Sequence, residues 1–307
     1  PSQCFFATHL LGNVFSATDG RTLRWFPDQV VVAVGGTGTT SPNVNLDYLE
    51  YDAVPPAIAT ETTADTVIEQ RQVCVTRDDV IVARVWLANP AATPQTHTLT
   101  VTGDCRNSYD WRGSTGGLKE TRRDANVVLM FDHNVYPGFV PGGLCLAIGG
   151  SAAPTQVVVS TPGAYSLTYE ISVPAASTRS VVLACAVDTQ ETRAREHLAT
   201  VLADSDPLAA NRAEWSDFYA HQVPRFTCSD AGLTELYAFR WFLLRFSTAG
   251  GDLGYFKYPV VMEGRQAYQT YCCYSAPFMA FDMNWAVDPA VGFGHVAQRF
   301  VQLLDEV

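Results

Sequence analysis

Residues 179–204 read RSVVLACAVDTQETRAREHLATVLAD, and a change of period inside this stretch decides how the chain is organised. After Arg179 and Ser180, residues 181–187 are apolar, mostly small or β-branched, in strand-like composition. Beyond Asp188, the residues Ala194, Leu198, Val201 and Leu202 recur at the spacing of one helix face. A switch from period two to period 3.6 marks a domain boundary more firmly than any shift of composition.

Upstream of that point the sequence reads as strand after strand. Residues 66–76 and 80–89 flank the turn Arg77-Asp78-Asp79 as a hairpin, and further strands are predicted at 96–102, 127–131, 144–149, 156–160 and 164–173. Turn formers separate them: Pro90, Pro94, the glycines of 113–117, Pro137-Gly138, Pro141-Gly142-Gly143 and Pro162-Gly163. Regular short strands with such punctuation predict one large antiparallel sandwich of ten to twelve strands over residues 1–188.

Downstream, Asp206-Pro207 offers an N-cap with Pro in the first turn of a helix carrying Leu208, Trp215, Phe218 and Tyr219, so 189–228 reads as a helical connector. A third helix is expected from Ser229 to about Ser247, apolar nearly all round and therefore buried on several sides. A fourth runs from the cap Ser275, with Pro277 in its first turn, to Val287. Asp288-Pro289 launches a fifth, whose Phe293, Val296, Ala297, Phe300, Val301 and Leu304 form one apolar stripe. The three residues after Leu304 cannot cover that stripe, so a further polypeptide segment or chain is expected to pack on it, with these 307 residues a fragment of the whole.

Composition closes several doors. A chain of 307 residues with 47% hydrophobic and 17% charged content is neither disordered nor, without about 18 consecutive apolar residues, membrane-spanning. The net charge of −11, with no basic stripe, argues against nucleic acid as a partner. Eight scattered cysteines lack zinc-site spacing, and six histidines show neither HxH nor HExxH, so no metal or other cofactor is expected. Cys74 and Cys185 fall in apolar runs and read as buried free thiols. No cleavable leader and no N-glycosylation sequon is visible, which leaves the compartment open.

The densest unusual stretch is 250–288, GGDLGYFKYPVVMEGRQAYQTYCCYSAPFMAFDMNWAVD. It joins two carboxylates, Glu263 and Asp282, to Arg265 and to the rings of Tyr255, Tyr258, Tyr268, Tyr271, Tyr274 and Trp285. Sugar sites use this mixture, because a pyranose stacks its C–H faces on rings and offers hydroxyls to carboxylates and guanidinium groups. The same residues would also serve as core rings and rim ion pairs. Asp282 tilts the balance: it interrupts the apolar run Phe278-Met279-Ala280-Phe281 and must be hydrogen-bonded, or ionised in a cavity, to justify its desolvation. Trp285, three residues on, projects from the same helix face.

The order of a β-sandwich, then Trp215, Phe218 and Val223-Pro224, then Ser229-Asp230, Leu233 and Leu236-Tyr237, then Tyr274-Ser275-Ala276-Pro277 and Asp282-Met283-Asn284-Trp285, resembles the six-hairpin glycosidases. The mannosylglycerate hydrolase and processing glucosidase group is the nearest, with inverting disaccharide phosphorylases as cousins. The resemblance implies a β-supersandwich followed, over 229–307, by the first helices of an incomplete (α/α)6 toroid. It further implies an O-glycosyl hydrolase acting on gluco- or manno-configured glycosides or oligosaccharides with inversion. Asp282 and Trp285 would then hold the sugar in the deepest subsite, with Tyr274 nearby and Arg265 and Glu263 at the pocket mouth. The general acid and base of such enzymes generally come from later hairpins, so the resemblance implies a pair outside this chain, with Glu263 and Asp282 the weak candidates within it. Phosphorolysis on the same architecture, or a non-catalytic carbohydrate-binding or assembly module, are the alternatives.

Three other motifs have blander readings. Gly35-Gly36-Thr37-Gly38-Thr39-Thr40 lacks the Lys-Ser/Thr of a phosphate loop and reads as a turn. Asp132-His133-Asn134 is a polar strand end, and Cys272-Cys273 a pair of buried thiols rather than a vicinal disulfide.

Overall fold

The computed structural model describes residues 31–34, 57–62, 68–75, 78, 80–104, 120–132, 144–160, 164–246, 248–249, 256–261 and 274–305. Among these, eleven strands precede the first helix: β1 (Val31–Val34), β2 (Ala57–Thr62), β3 (Ile68–Val75), β4 (Val80–Asn89), β5 (Gln95–Asp104), β6 (Glu120–Asp124), β7 (Val127–Asp132), β8 (Leu144–Gly150), β9 (Gln156–Ser160), β10 (Ala164–Val173) and β11 (Ser177–Asp188). They form two antiparallel sheets, one of four strands in the order β1-β5-β10-β9 and one of seven in the order β2-β3-β4-β11-β8-β7-β6. The hairpin expected around Asp78 is β3–β4, with Val75 opposite Ile81 and Ile68 opposite Ala88. Strands β1, β2 and β6 escaped the sequence reading. The phosphate-loop-like glycines, His133, Asn134, Glu263, Arg265 and the Cys272-Cys273 pair lie outside the described residues.

Strand β11 is the spine of the larger sheet. It pairs with β4 on one side, Val181 opposite Val85, and with β8 on the other, Cys185 opposite Ile148. All eight residues from Val181 to Asp188 are buried, because both faces of the strand are covered. Helix α1 (Glu191–Ala203) covers one face: Ala194 and Leu198 pack on Val182, Ala184 and Ala186, with Val80, Val82, Leu129 and Ala147 alongside. Alternate residues of a strand point to opposite faces, so Val181, Leu183 and Cys185 turn toward the four-stranded sheet. Cys185 and Cys145 are buried free thiols, and burial pushes Cys145 up to about 12, which keeps it a protonated hydrophobe.

The turn from β11 into α1 is made by a buried carboxylate. Asp188 is 5% exposed; its Oδ1 accepts from the Gln190 N–H at 3.0 Å and from Thr189 Oγ1 at 3.3 Å, and its Oδ2 meets Arg193 Nε at 3.3 Å. The opposite edge of the helix is clamped to β6. Glu191 Oε1 accepts from Arg122 Nη2 at 2.6 Å and from Arg195 Nε at 2.9 Å, and Arg195 also reaches Asp124.

The helices continue as α2 (Pro207–His221), α3 (Ala231–Phe246), α4 (Ala276–Met283) and α5 (Ala290–Asp305), with a short ladder of β12 (Thr248–Ala249) and β13 (Val260–Val261) between α3 and α4. Asp206 caps α2 as expected, its side chain accepting from the Ala209 N–H, and Arg84 of β4 pairs with that same carboxylate at 3.0 Å. The sandwich therefore grips the start of α2 through a cap residue. Helix α3 is not buried all round: Trp241, Phe242 and Leu244 are, but Leu233 and Leu236 in its first turns are exposed.

Helix α4 ends four residues before the expected Val287. Trp285 N–H bonds Asp282 O at 3.1 Å and Ala286 N–H bonds Met283 O at 3.1 Å, the tightened bonds of a closing turn. Gln222 then takes the next two donors, Val287 N–H on its backbone carbonyl and Asp288 N–H on its side chain, both at 3.0 Å, and turns the chain toward α5.

Where β10 passes β8, the phenol of Tyr169 is wholly buried, and its hydroxyl has no hydrogen-bond partner among the described residues. A Cβ on Gly150 would stand 2.7 Å from that hydroxyl and 3.0 Å from Cζ. An unsatisfied buried hydroxyl costs about 1–3 kcal/mol, and overpacking costs about the same. Tyr169→Phe is therefore expected to leave stability unchanged or raise it by about 1 kcal/mol in urea melts. Gly150→Ala should lower it by about 1–3 kcal/mol, and the double variant should recover part of that loss.

Candidate functional site

The helical half is organised by a dense aromatic cluster. Trp215 of α2 packs on Phe242 of α3 with ring centroids 5.3 Å apart, and Phe218 and Tyr219 fit around it. Arg245 lies over Trp215 at 4.4 Å and over Phe218 at 4.7 Å while donating to Glu214 O at 2.9 Å. Two phenols staple the chain between α2 and α3: Tyr237 donates to Pro224 O at 2.6 Å and Tyr219 to Ala238 O at 3.0 Å. The spaced aromatics that carry the sequence resemblance are, in this region, mostly packing residues.

On this platform α4 lies with a sharp division of faces. Ala276, Met279, Ala280 and Met283 are buried, and Met279 and Met283 pack on Trp241, Leu244 and Val261. The other face carries Phe278, Phe281 and Asp282, with Tyr274 just before the helix and Trp285 just after it. Tyr274 is 78% exposed and Phe278, Phe281 and Trp285 are each about two-thirds exposed. The rings meet in pairs, Tyr274 with Phe278 at 6.2 Å and Phe281 with Trp285 at 6.5 Å.

Asp282 stands among these rings. The sequence reading has this acid in an apolar helix, either hydrogen-bonded or ionised in a cavity; the structure puts it on the outward face, its side chain 35% exposed and hydrogen-bonded. Its partner is Arg240 of α3, which the sequence reading passed over. Arg240 Nε donates to Asp282 Oδ2 at 2.8 Å and Nη2 donates to the same oxygen. Oδ1 has no partner among the described residues. The missed signal was a cation in one apolar helix answering the lone acid of another, 42 positions apart. Of the five sugar-binding candidates, the structure thus brings Asp282, Trp285 and Tyr274 to one side of α4, while Glu263 and Arg265 lie outside the described residues. No group of three His, Cys, Asp or Glu side chains that could hold a metal occurs among the described residues. No helix is long and apolar enough to cross a membrane.

The segment 256–261 is fixed by α5. Gln298 accepts from the Lys257 and Tyr258 N–H groups at 2.7 and 3.2 Å, and His295 Nδ1 accepts from the Val261 N–H at 2.9 Å. Both side chains are buried, at 0% and 1% exposure. Burial lowers the His295 imidazole to about 4, against a weaker opposing pull from the Ala276 backbone.

No protein-family model and no curated protein matches the chain. Among solved structures it is similar to a protein described as a kojibiose phosphorylase, from the human microbiome, with a TM-score of 0.57 at 10% identity over 82% of this chain. A bacterial glucoamylase complexed with acarbose aligns at a TM-score of 0.45 and 9% identity, covering 71% of this chain and 35% of its own. A family GH92 alpha-mannosidase from Bacteroides thetaiotaomicron aligns at 0.42 and 10%, covering 83% and 38%. The likeness to the phosphorylase is one of fold, and this chain spans 36% of that protein's length.

His295 is neutral when folded and takes a proton only near pH 4, whereas in the unfolded chain it titrates near its ordinary 6.5. Its contribution is whole above pH 6.5 and is lost as pH falls toward 4, at up to about 1.4 kcal/mol per pH unit. Urea melts across pH 7 to 4 should show this loss, and His295→Gln should flatten that part of the slope.

Proposed function

We propose that this chain is the N-terminal portion of a carbohydrate-active enzyme that cleaves gluco- or manno-configured glycosides or oligosaccharides, with the sugar held at the outward side of α4. The observation that carries the reading is the Asp282 carboxylate: Arg240 holds one oxygen, the other is open among the described residues, and exposed rings flank it. A fixed carboxylate oxygen accepts sugar hydroxyls, while Trp285 and Tyr274 offer faces for the C–H side of a pyranose. Glu263 and Arg265, which lie outside the described residues, would reach the same sugar in this reading. The fold likeness to a phosphorylase supports the enzyme class.

In this reading the chemistry is an inverting hydrolysis. One carboxylic acid protonates the departing glycosidic oxygen, and a carboxylate about 6.5–9.5 Å away draws a proton from the attacking water. Glu263 and Asp282 are the candidates within the chain. The alternative, and the one we favour for the catalytic pair, is that it stands on helical polypeptide beyond these residues, since the chain spans 36% of the similar phosphorylase. Phosphorolysis is the second reading, favoured by that same likeness: inorganic phosphate would replace the water, and an anion site the base.

The test is a panel of gluco- and manno-oligosaccharides assayed with and without phosphate, read first as ligand-induced shifts in melting temperature. Binding of at least one sugar is expected, with Asp282→Asn, Trp285→Ala and Arg240→Met each weakening it tenfold or more. The Arg240 pair is half-exposed and worth at most about 1 kcal/mol to the fold, so melting without sugar should barely move. Sugar affinity that survives all three substitutions would leave a binding module whose site is elsewhere; silence across the panel would sink the reading altogether.

A further inference from the structure

Trp285 is two-thirds exposed, and the ring it meets, Phe281, stands edge-on at 6.5 Å. So little packing on the indole leaves its place to the backbone that carries it. That backbone has already left the α-helix, Trp285 N–H bonding Asp282 O and Ala286 N–H bonding Met283 O as α4 closes. Where the ring stands is therefore decided by whatever holds the turn over residues 284–288.

Two elements grip that turn from outside. On one side Gln222 accepts two successive donors, Val287 N–H on its main-chain oxygen and Asp288 N–H on Oε1, each at 3.0 Å. Gln222 is itself anchored: it caps the C-terminus of α2, its own N–H donates to Phe218 O at 2.8 Å, and Phe218 lies under Arg245 in the aromatic cluster. On the other side α5 presents Gly292. A Cβ there would stand 2.5 Å from Asn284 Oδ1, 3.1 Å from Asn284 N and 3.2 Å from the Met283 carbonyl carbon, so the missing side chain lets α5 lie flush on the peptide that enters the turn. Between the two grips, Ala286 is buried with Trp241, Leu244 and Met283.

We propose that Gln222 is a positioning residue of the candidate carbohydrate site: acting through the 284–288 turn, and against Gly292, it sets where the Trp285 indole stands. The inference rests on the reading above in which Trp285 packs on a pyranose. A C–H face gains its attraction to a ring only at contact distance, and a gap of about 0.5–1 Å forfeits roughly a quarter to a half of it. Freeing the turn on one side should therefore weaken sugar binding by about two- to tenfold, the range that one neutral hydrogen bond carries. The bond from Asp288 to Gln222 Oε1 is exposed, so its loss should cost the fold little.

The test labels the protein made from its natural gene with fluorotryptophan and follows Trp285 by fluorine NMR, its signal identified by its absence in Trp285→Phe. Gln222→Met keeps the length of the side chain and removes the acceptor. Gly292→Ala presses on the turn from α5 and supplies an independent variant should the first misfold. The expected result is a shifted or broadened Trp285 signal in each variant, with the signals of Trp215 and Trp241 in place. Affinity for whichever oligosaccharide stabilises the unsubstituted protein should fall by about two- to tenfold alongside. A Trp285 signal that stays put overturns the inference, and so does a shift shared by Trp215 and Trp241, which reports general loosening. Sugar that binds the unsubstituted protein and both variants alike leaves the enzyme reading standing and removes the role of Gln222; an unsubstituted protein that binds no sugar removes both.

Discussion

Everything in this molecule hangs on a strand that is covered on both faces and a helix that must leave its end at a fixed angle. Val181 to Val187 fill the middle of the seven-stranded sheet, with α1 on one side and the smaller sheet on the other. Asp188 then accepts from the backbone at the turn while Arg193 meets its second oxygen. A buried carboxylate is costly unless such partners are in place. Once they are, the direction of α1 is set, and with it the position of α2, which β4 grips through Arg84 and Asp206.

The helices that follow inherit this frame. Trp215, Phe242 and Arg245 lock α2 to α3, and α3 gives α4 an apolar bed of Trp241 and Leu244. Because Met279 and Met283 occupy that bed, helical geometry sends Phe278, Phe281 and Asp282 outward. The position of the Asp282 carboxylate is thus a consequence of packing beneath it, and Arg240, rooted in the same α3 that forms the bed, fixes its orientation. Rigid elements hold both halves of the pair.

The sequence is legible where one period dominates. The hairpin at Asp78, the long β10 and the Asp206-Pro207 and Asp288-Pro289 helix starts are all readable, since alternation and caps are local signals. Strand β6 escapes because charge replaces alternation altogether; β1 and β2 escape too, although β2 is as long as β7, which is readable. The end of α4 escapes because Gln222, more than sixty positions upstream, takes the donors at 287 and 288. The environment of Asp282 is misread for a related reason: periodicity tells that a helix is apolar, not which of its apolar faces meets the core. Both faces of α4 are apolar, and only the bed on α3 distinguishes Met279 from Phe278. Arg240 is invisible for the same cause, its meaning lying wholly in a partner on another helix.

The charged strand β6 carries one more consequence. Among the described residues it forms an outer edge of the seven-stranded sheet, and its five residues, Glu120 to Asp124, include no apolar side chain. An edge strand offers unpaired backbone groups to any passing strand. Here an incoming neighbour would meet two carboxylates and two guanidinium groups, Arg122 and Asp124 already being tied to the α1 ion network. The sandwich is thereby guarded against growing into a fibre along that edge.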